Sequence, residues 1–377
     1  MNRQCTILVT HACNLNCVYC YEHHKSRDFM SFDTACKIIK SEMQFMRGTT
    51  LYERIDFRFF GGEPLMQFLL IRDICEWTWA RDWGVRYHFY VITNGTLLDS
   101  ERQKWFESNK KRITIDLSVD GLDVMHRTNR GCSVRSLPID WVKKNWPSSR
   151  YKMTISSKTL SSFADGVISL VGQGYDISSA LAIGEHWSDE TAREYACQWQ
   201  KILKYYLTVT GGTVWKQLFK SIDSLFSNQK VQDKCCGAGD SAITYDIDGE
   251  IYPCVIFTPL VFGRDIRPDL ANIQFTNPDV FADETCQDCF IRNMCKTCYG
   301  FNLQMRGKLS ERDKSACKMY QLEILYIAAF QMNYIKRLSQ KRTLSVLEHT
   351  RLIRVGKICD VLSPILDINR DMLQIVK

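Results

Sequence analysis

Short apolar runs alternate along the first two hundred residues with longer stretches of mixed polarity. Strand candidates are Thr6–Thr10, Ile55–Phe60, Val85–Ile92, Ile113–Val119, Tyr151–Ile155 and Ser179–Ile183. Helix candidates fall between them, at Asp33–Met46, Pro64–Ala80, Asp99–Ser108, Pro138–Lys144, Ser161–Gly172 and Asp189–Leu207. Repeated strand–helix units predict an α/β fold with a parallel sheet, open or curled into a partial (β/α)6 barrel. In such sheets the chemistry sits in the loops at the carboxyl ends of the strands. The helix from Asp189 carries Trp199, Ile202, Leu203 and Tyr206 at helical spacing, which predicts a core-facing stripe.

The unusual sequences fall at those strand ends. Strand one is followed by Cys13-Asn14-Leu15-Asn16-Cys17-Val18-Tyr19-Cys20, a C-x3-C-x2-C spacing. Three thiolates in one loop hold metal. On a four-iron cluster they leave one iron open to a small molecule. Zinc is the alternative, with a histidine as fourth ligand, because His11, His23 and His24 are near. Strand two is followed by Gly61-Gly62-Glu63-Pro64, strand three by Thr93-Asn94-Gly95 and strand four by Ser118-Val119-Asp120-Gly121. Paired glycines let backbone approach a ligand without a Cβ in the way, and Pro64 suits the first turn of a helix. Each turn alone also reads as a tight polar connection. Four of them on one rim predict a single pocket.

After residue 207 the pattern changes. Thr210-Gly211-Gly212-Thr213 breaks it, a short helical piece is expected over Trp215–Phe226, and Ser227-Asn228-Gln229-Lys230 reads as linker. A second cysteine field follows: Cys235, Cys236, Cys254, Cys286, Cys289, Cys295, Cys298 and Cys317. Asp248-Gly249 between two β-rich runs predicts a hairpin that returns Cys254 towards Cys236. Cys286 to Cys298 places four cysteines in 13 residues, a metal-site density. Zinc ribbons use the same C-x2-C pairs. Tyr320–Arg342 then reads as one amphipathic helix packed on the barrel, and residues 343–377 as a further apolar tail. The expected domains are 1–207, a linker over 208–234, a cysteine-rich domain over 235–318 and a helical segment over 319–377.

Composition narrows the class. With 45% hydrophobic residues the 377-residue chain is ordinary for a globular protein. No apolar run reaches the ~18 residues of a membrane span, and no signal peptide is evident, which points to the cytoplasm. Seventeen cysteines are many for a reducing compartment and favour metal over disulfides. The charge of +7, from 49 basic and 42 acidic residues, is mild and calls for no nucleic acid.

The first cysteine loop resembles the radical SAM signature, with Tyr19 at its aromatic position. The resemblance implies a [4Fe–4S] cluster on Cys13, Cys17 and Cys20, with S-adenosylmethionine (SAM) on the open iron. The family's Gly-Gly-Glu-Pro turn binds the SAM amino group, and Gly61, Gly62, Glu63 and Pro64 match it in full. Asn94 joins them as a pocket residue. Ser118 and Asp120, with His126 and Arg130, resemble a segment near SAM in which Ser118 reaches the ribose and Arg130 the carboxylate. Arg127 stands where the family usually has Asp. The second field resembles the SPASM extension, which holds two auxiliary [4Fe–4S] clusters. The resemblance gives Cys236, Cys254 and Cys298 to one and Cys286, Cys289, Cys295 and Cys317 to the other. Either Cys235 is the fourth ligand of the first auxiliary cluster or one iron stays open.

The resemblance implies an enzyme that modifies a peptide or protein by radical chemistry, forming thioether or carbon–carbon crosslinks or oxidising a side chain. Expected partners are the substrate, a separate leader-binding protein and a flavodoxin or ferredoxin as electron donor. One alternative is an anaerobic sulfatase-maturating enzyme, although Val255 stands where that subfamily has an aspartate. Another, of a different class, is a non-catalytic iron–sulfur electron carrier.

Overall fold

A computed structural model describes residues 1–209, 212–227 and 234–375. The expected break at Thr210-Gly211 and the linker residues Asn228-Gln229-Lys230 lie outside them. The chain divides into two compact units. The first comprises Met1–Val119, Arg130–Lys152 and Cys236–Val280, and the second Asp120–Asn129, Met153–Cys235 and Phe281–Lys377.

The first unit is built on a sheet in the order β4-β3-β2-β1-β7-β8. Its strands are β1 (Asn2–Thr10), β2 (Arg54–Gly61), β3 (Tyr87–Thr93), β4 (Ile113–Leu117), β7 (Ala242–Tyr245) and β8 (Ile251–Tyr252). β1 to β4 and β7 run parallel, and β8 returns antiparallel from β7. The expected hairpin therefore forms, but it extends the N-terminal sheet. The stretch expected as one cysteine-rich domain is divided, with 236–280 in the first unit and 281–318 in the second. The reason is the pairing of β7 with β1, which satisfies the β1 edge through Gln4↔Ala242 and Ile7↔Tyr245.

One face of this sheet is apolar. Phe57, Phe59, Phe89, Val91, Ile113, Ile115 and Leu117 are fully buried, and Phe57 and Phe59 stack on Phe89 at 5.4 and 5.3 Å. Each buried Phe contributes roughly 1.5–3 kcal/mol. Helix α1 (Phe32–Arg47) starts where the Ser31 side chain accepts from the Thr34 N–H, and it buries Ala35, Ile38, Ile39 and Met43. α2 (Phe68–Trp79) follows a separate 3-10 turn, Pro64–Gln67, so the expected single helix has two parts. α3 (Ser100–Ser108) is capped by Asp99. α5 (Ile139–Asn145) and the single turns α8 (Pro259–Phe262) and α9 (Arg267–Leu270) complete the unit. The opposite face carries Asp56, Arg58, His88, Tyr90, Thr114 and Asp116. Parallel strands are usually apolar on both faces.

β5 (Tyr151–Ile155) starts in the first unit, to which Tyr151 and Lys152 belong, and continues from Met153 in the second; it pairs with β6 (Ile177–Leu181), which lies two residues ahead of the expected strand. α4 (Asp123–Arg130), α6 (Phe163–Gly172) and α7 (Asp189–Thr208) precede α10 (Tyr299–Arg306), α11 (Cys317–Ser339) and α12 (Val346–Ile365). The stripe on α7 is core: Trp199 and Ile202 are fully buried, and Trp199 stacks on Trp215 at 5.6 Å. The piece expected over Trp215–Phe226 forms two 3-10 turns. α11 packs on α7 and α12 within this unit. α12 starts with a capping box of Ser345 and Glu348. Among the described residues no helix is long and apolar enough to cross a membrane.

Candidate functional site

The rim of the first unit explains its glycines. Gly61 has φ +136°, and a Cβ there would lie 2.0 Å from the Thr10 carbonyl oxygen. A Cβ on Gly62 would lie 2.3 Å from the Ala12 oxygen and 2.9 Å from Cys13 Cβ. The Glu63 N–H donates to Ala12 O at 2.8 Å, so the turn after β2 lies directly against the loop of Cys13. Within that loop the Cys20 N–H donates to Cys17 O, and Lys25 Nζ donates to Leu15 O. Burial pushes the Cys13 and Cys20 thiols up. Glu22 adds to the effect at Cys20, while Leu15 N–H and Lys25 oppose it at Cys13. Glu22, 7% exposed, is itself pushed up to about 8, chiefly by burial. Its place beside the cysteines had no signal in the sequence.

Glu63 brackets the rim. It is 1% exposed. Its Oε1 accepts from Leu65 N–H at 3.0 Å and Thr93 Oγ1 at 2.6 Å, and its Oε2 from Asn94 N–H at 2.8 Å. Burial pushes its pKa up, against these hydrogen bonds and the nearby charge of Arg130. The sequence suggests this carboxylate for an ammonium; the geometry gives it first to three protein donors. Asn94 passes the order on. Its Nδ2 donates to Asn14 Oδ1 at 2.9 Å, and Asn14 Nδ2 donates to Thr96 Oγ1 at 2.8 Å. The cysteine loop is thus tied to the turn after β3. Arg130, 8% exposed, lies with its guanidinium 5.5 Å from the ring centre of Tyr19.

At the end of β4 the Ser118 N–H donates to Thr93 O. Asp120 belongs to the second unit and is fully buried. Its backbone N–H donates to His126 Nδ1 at 3.1 Å. Its carboxylate accepts from Thr154 N–H at 2.9 Å and Asn129 Nδ2 at 3.3 Å. It organises its own turn. The histidines near the first loop are occupied otherwise: His11 Nε2 meets Asp246 Oδ1 at 2.6 Å, and His23 and His24 are exposed.

All seventeen cysteines are free thiols. In the second unit Cys286, Cys289, Cys295 and Cys317 form one electrostatic group. Burial pushes Cys317 up to about 11, and the other three thiols add to it. Lys314 Nζ donates to Cys286 Sγ at 3.2 Å and to Asp283 Oδ2 at 3.1 Å. Buried Arg312 lies beside Cys286 and Cys295. Four thiols beside two cations suit an anionic metal–thiolate group. Cys235 and Cys298 share this unit. The Cys235 N–H donates to Tyr299 Oη, and Cys298 lines a cavity of about 180 Å³ with His186 and Tyr320. Cys236 and Cys254 belong to the first unit, where Gly239 N–H donates to Pro253 O and closes the hairpin. Among the described residues no three His, Cys, Asp or Glu side chains converge as a single metal ion requires. A four-iron cluster puts each thiolate on a different iron and asks for no such convergence. The thiols of Cys13, Cys17 and Cys20 in one loop, and the four-thiol group of the second unit, fit clusters of that kind.

Residues 7–143 match the Radical SAM superfamily, and the chain carries a radical SAM domain. It is 34% identical over 117 residues to an uncharacterized protein of Methanocaldococcus jannaschii, covering 31% of this chain and 38% of that one. It is 22% identical over 318 residues to AlbA, the antilisterial bacteriocin subtilosin biosynthesis protein of Bacillus subtilis, covering 78% of this chain and 66% of that one. The chain thus spans less than two thirds of the length of these curated relatives. Among solved structures, anSMEcpe with bound AdoMet superposes with a TM-score of 0.64 at 15% identity, over 93% of this chain and 97% of that chain. Streptococcus suis SuiB bound to its precursor peptide SuiA superposes with a TM-score of 0.56 at 15% identity, over 84% and 76%. These likenesses establish the mixed α/β radical SAM fold.

Proposed function

We propose that this chain abstracts hydrogen from a peptide or protein substrate and leaves a thioether or carbon–carbon crosslink or an oxidised side chain. The observation that carries the reading is the tied rim, in which Gly62 lies against Cys13 and Glu63 orders Asn94, which holds Asn14. Cys13, Cys17 and Cys20 hold the SAM-binding cluster. Gly61, Gly62, Pro64, Asn94 and Ser118 border SAM, and Glu63 fixes their positions. Bound there, cluster and SAM supply a reductively generated 5′-deoxyadenosyl radical. Arg130 offers its cation to the SAM carboxylate, and Tyr19 holds the guanidinium in place. Asp120 sets the turn after β4. Cys286, Cys289, Cys295 and Cys317 hold an auxiliary cluster. A flavodoxin or ferredoxin supplies electrons, and a separate protein presents the peptide leader.

A peptide substrate is supported by SuiB, solved with its precursor peptide, and by AlbA, named for bacteriocin biosynthesis. The sulfatase-maturase reading is weaker, because Val255 follows Cys254 where that chemistry expects an acid. The test is co-expression with short peptides encoded beside the gene, read by mass spectrometry. The expected product has lost two hydrogens and requires intact Cys13. Unchanged peptides from a protein that still cleaves SAM refute a peptide substrate.

A further inference from the structure

The polar face of the first unit's sheet holds charges that form no ion pair among the described residues. Arg58 pairs in register with Tyr90 and Tyr90 with Thr114, so these share one row. Asp116, opposite Ile92, stands one row nearer the rim. Lys152 sits beside Ser118 across a parallel bridge. Asp56 has its counter-ion, Arg54, at 2.7 Å. Arg58 has none. Its Nε is buried without a hydrogen-bond partner, and its guanidinium lies 5.7 Å from the Tyr90 ring centre. Among the described residues neither Asp116 nor Lys152 makes a side-chain hydrogen bond or an ion pair. They nevertheless feel one another. Burial pushes the Asp116 carboxyl up, and Lys152, Arg58 and Arg150 oppose that. Burial pushes the Lys152 ammonium down, with Asp116 opposing and Arg58 adding. Lys152 keeps solvent access all the same, so a ligand reaches it.

Three cations around one anion leave a net positive surface, and among the described residues neither Arg58 nor Lys152 is in an ion pair. Asp116 lies one same-face step, about 7 Å along the strand, before Ser118. We infer that Arg58 and Lys152 bind a carboxylate of the substrate on this face, while Asp116 accepts from an adjacent peptide N–H. The site therefore selects which stretch of peptide reaches the radical. This rests on the reading of the chain as a peptide-modifying enzyme. The carboxylate comes from an acidic side chain or from a peptide C-terminus.

The test uses anaerobically reconstituted, SAM-loaded protein and three probes: acetyl-Ala-Glu-Ala-amide, acetyl-Ala-Gln-Ala-amide and acetyl-Ala-Ala-Ala with a free C-terminal carboxylate. Calorimetric binding should favour a carboxylate probe over the Gln probe by about tenfold, the effect of one charged hydrogen bond. Arg58→Gln and Lys152→Gln should each abolish that preference. Asp116→Asn should raise it, an effect of opposite sign that general misfolding does not imitate. A preference for the Glu probe identifies a side-chain carboxylate, and one for the free-terminus probe identifies the C-terminus. Equal binding of all three by the wild type, or a preference that survives both cation substitutions, overturns the inference. Wild-type SAM cleavage is measured in the same preparation. Cleavage without preference removes only this inference, whereas no cleavage removes the broader reading.

Discussion

Glu63→Gln separates a positioning carboxylate from one reserved for ligand. The variant keeps one acceptor oxygen for Leu65 N–H and Thr93 Oγ1, now without charge. It turns an NH2 towards the Asn94 N–H, which the wild-type Oε2 meets at 2.8 Å. Asn94 is 7% exposed, so no water replaces the lost acceptor freely. An unpaired buried donor costs about 1–3 kcal/mol. Relief of the carboxylate's own burial offsets part of this, and about 2 kcal/mol remains, roughly thirtyfold in a local opening equilibrium. The assay is amide hydrogen exchange of the SAM-free protein. Exchange at Asn94 should rise about thirtyfold, with a smaller rise in the loop of Asn14, which Asn94 holds. Unchanged exchange at Asn94 together with weakened SAM binding would make Glu63 a ligand contact alone and overturn its positioning role.

Gly62→Ala forces its Cβ to 2.3 Å from Ala12 O, so the Cys13 loop must shift, at an overpacking cost of about 1–3 kcal/mol. Iron at the N-terminal cluster should fall after reconstitution, and full loading contradicts this. Cys286→Ala should lower total iron without affecting the N-terminal cluster; unchanged iron means that the four-thiol group holds no cluster. Asp283→Asn tests the acid side. Burial pushes the Asp283 carboxyl up, but Thr285, Arg312 N–H and Lys314 outweigh it and hold it below the ordinary 3.8. A depressed carboxyl stabilises the fold above its unfolded value, and that stability is lost as pH falls below about 4. Thermal unfolding of metal-free Asp283→Asn should therefore depend less on pH below 4 than the wild type; identical slopes contradict the assignment.

The strands β1 to β5 were legible because their apolar runs are local and end in polar turns. The partner of the β1 edge was not: Gln4 pairs with Ala242, and a parallel pairing at that separation leaves no local trace. Gly61 and Gly62 were readable as a close backbone approach, and the structure supplies the atoms approached. Glu63 and Asp120 were readable as site residues by type. Their hydrogen bonds depend on the Thr93 hydroxyl and on the Asn94 and Thr154 backbones, which only the fold brings near. Arg58, Asp116 and Lys152 went unread because they become one surface only when three strands are set in register. α4 was missed since its eight residues are mostly polar.

The proposed cluster on Cys13, Cys17 and Cys20 would cleave SAM. The direct measurement is 5′-deoxyadenosine released from SAM by anaerobically reconstituted protein with dithionite, wild type beside the triple alanine variant. The wild type should release 5′-deoxyadenosine and the variant none, while the variant retains iron at its remaining cysteines. Equal release from both, or none from a fully iron-loaded wild type, would contradict it.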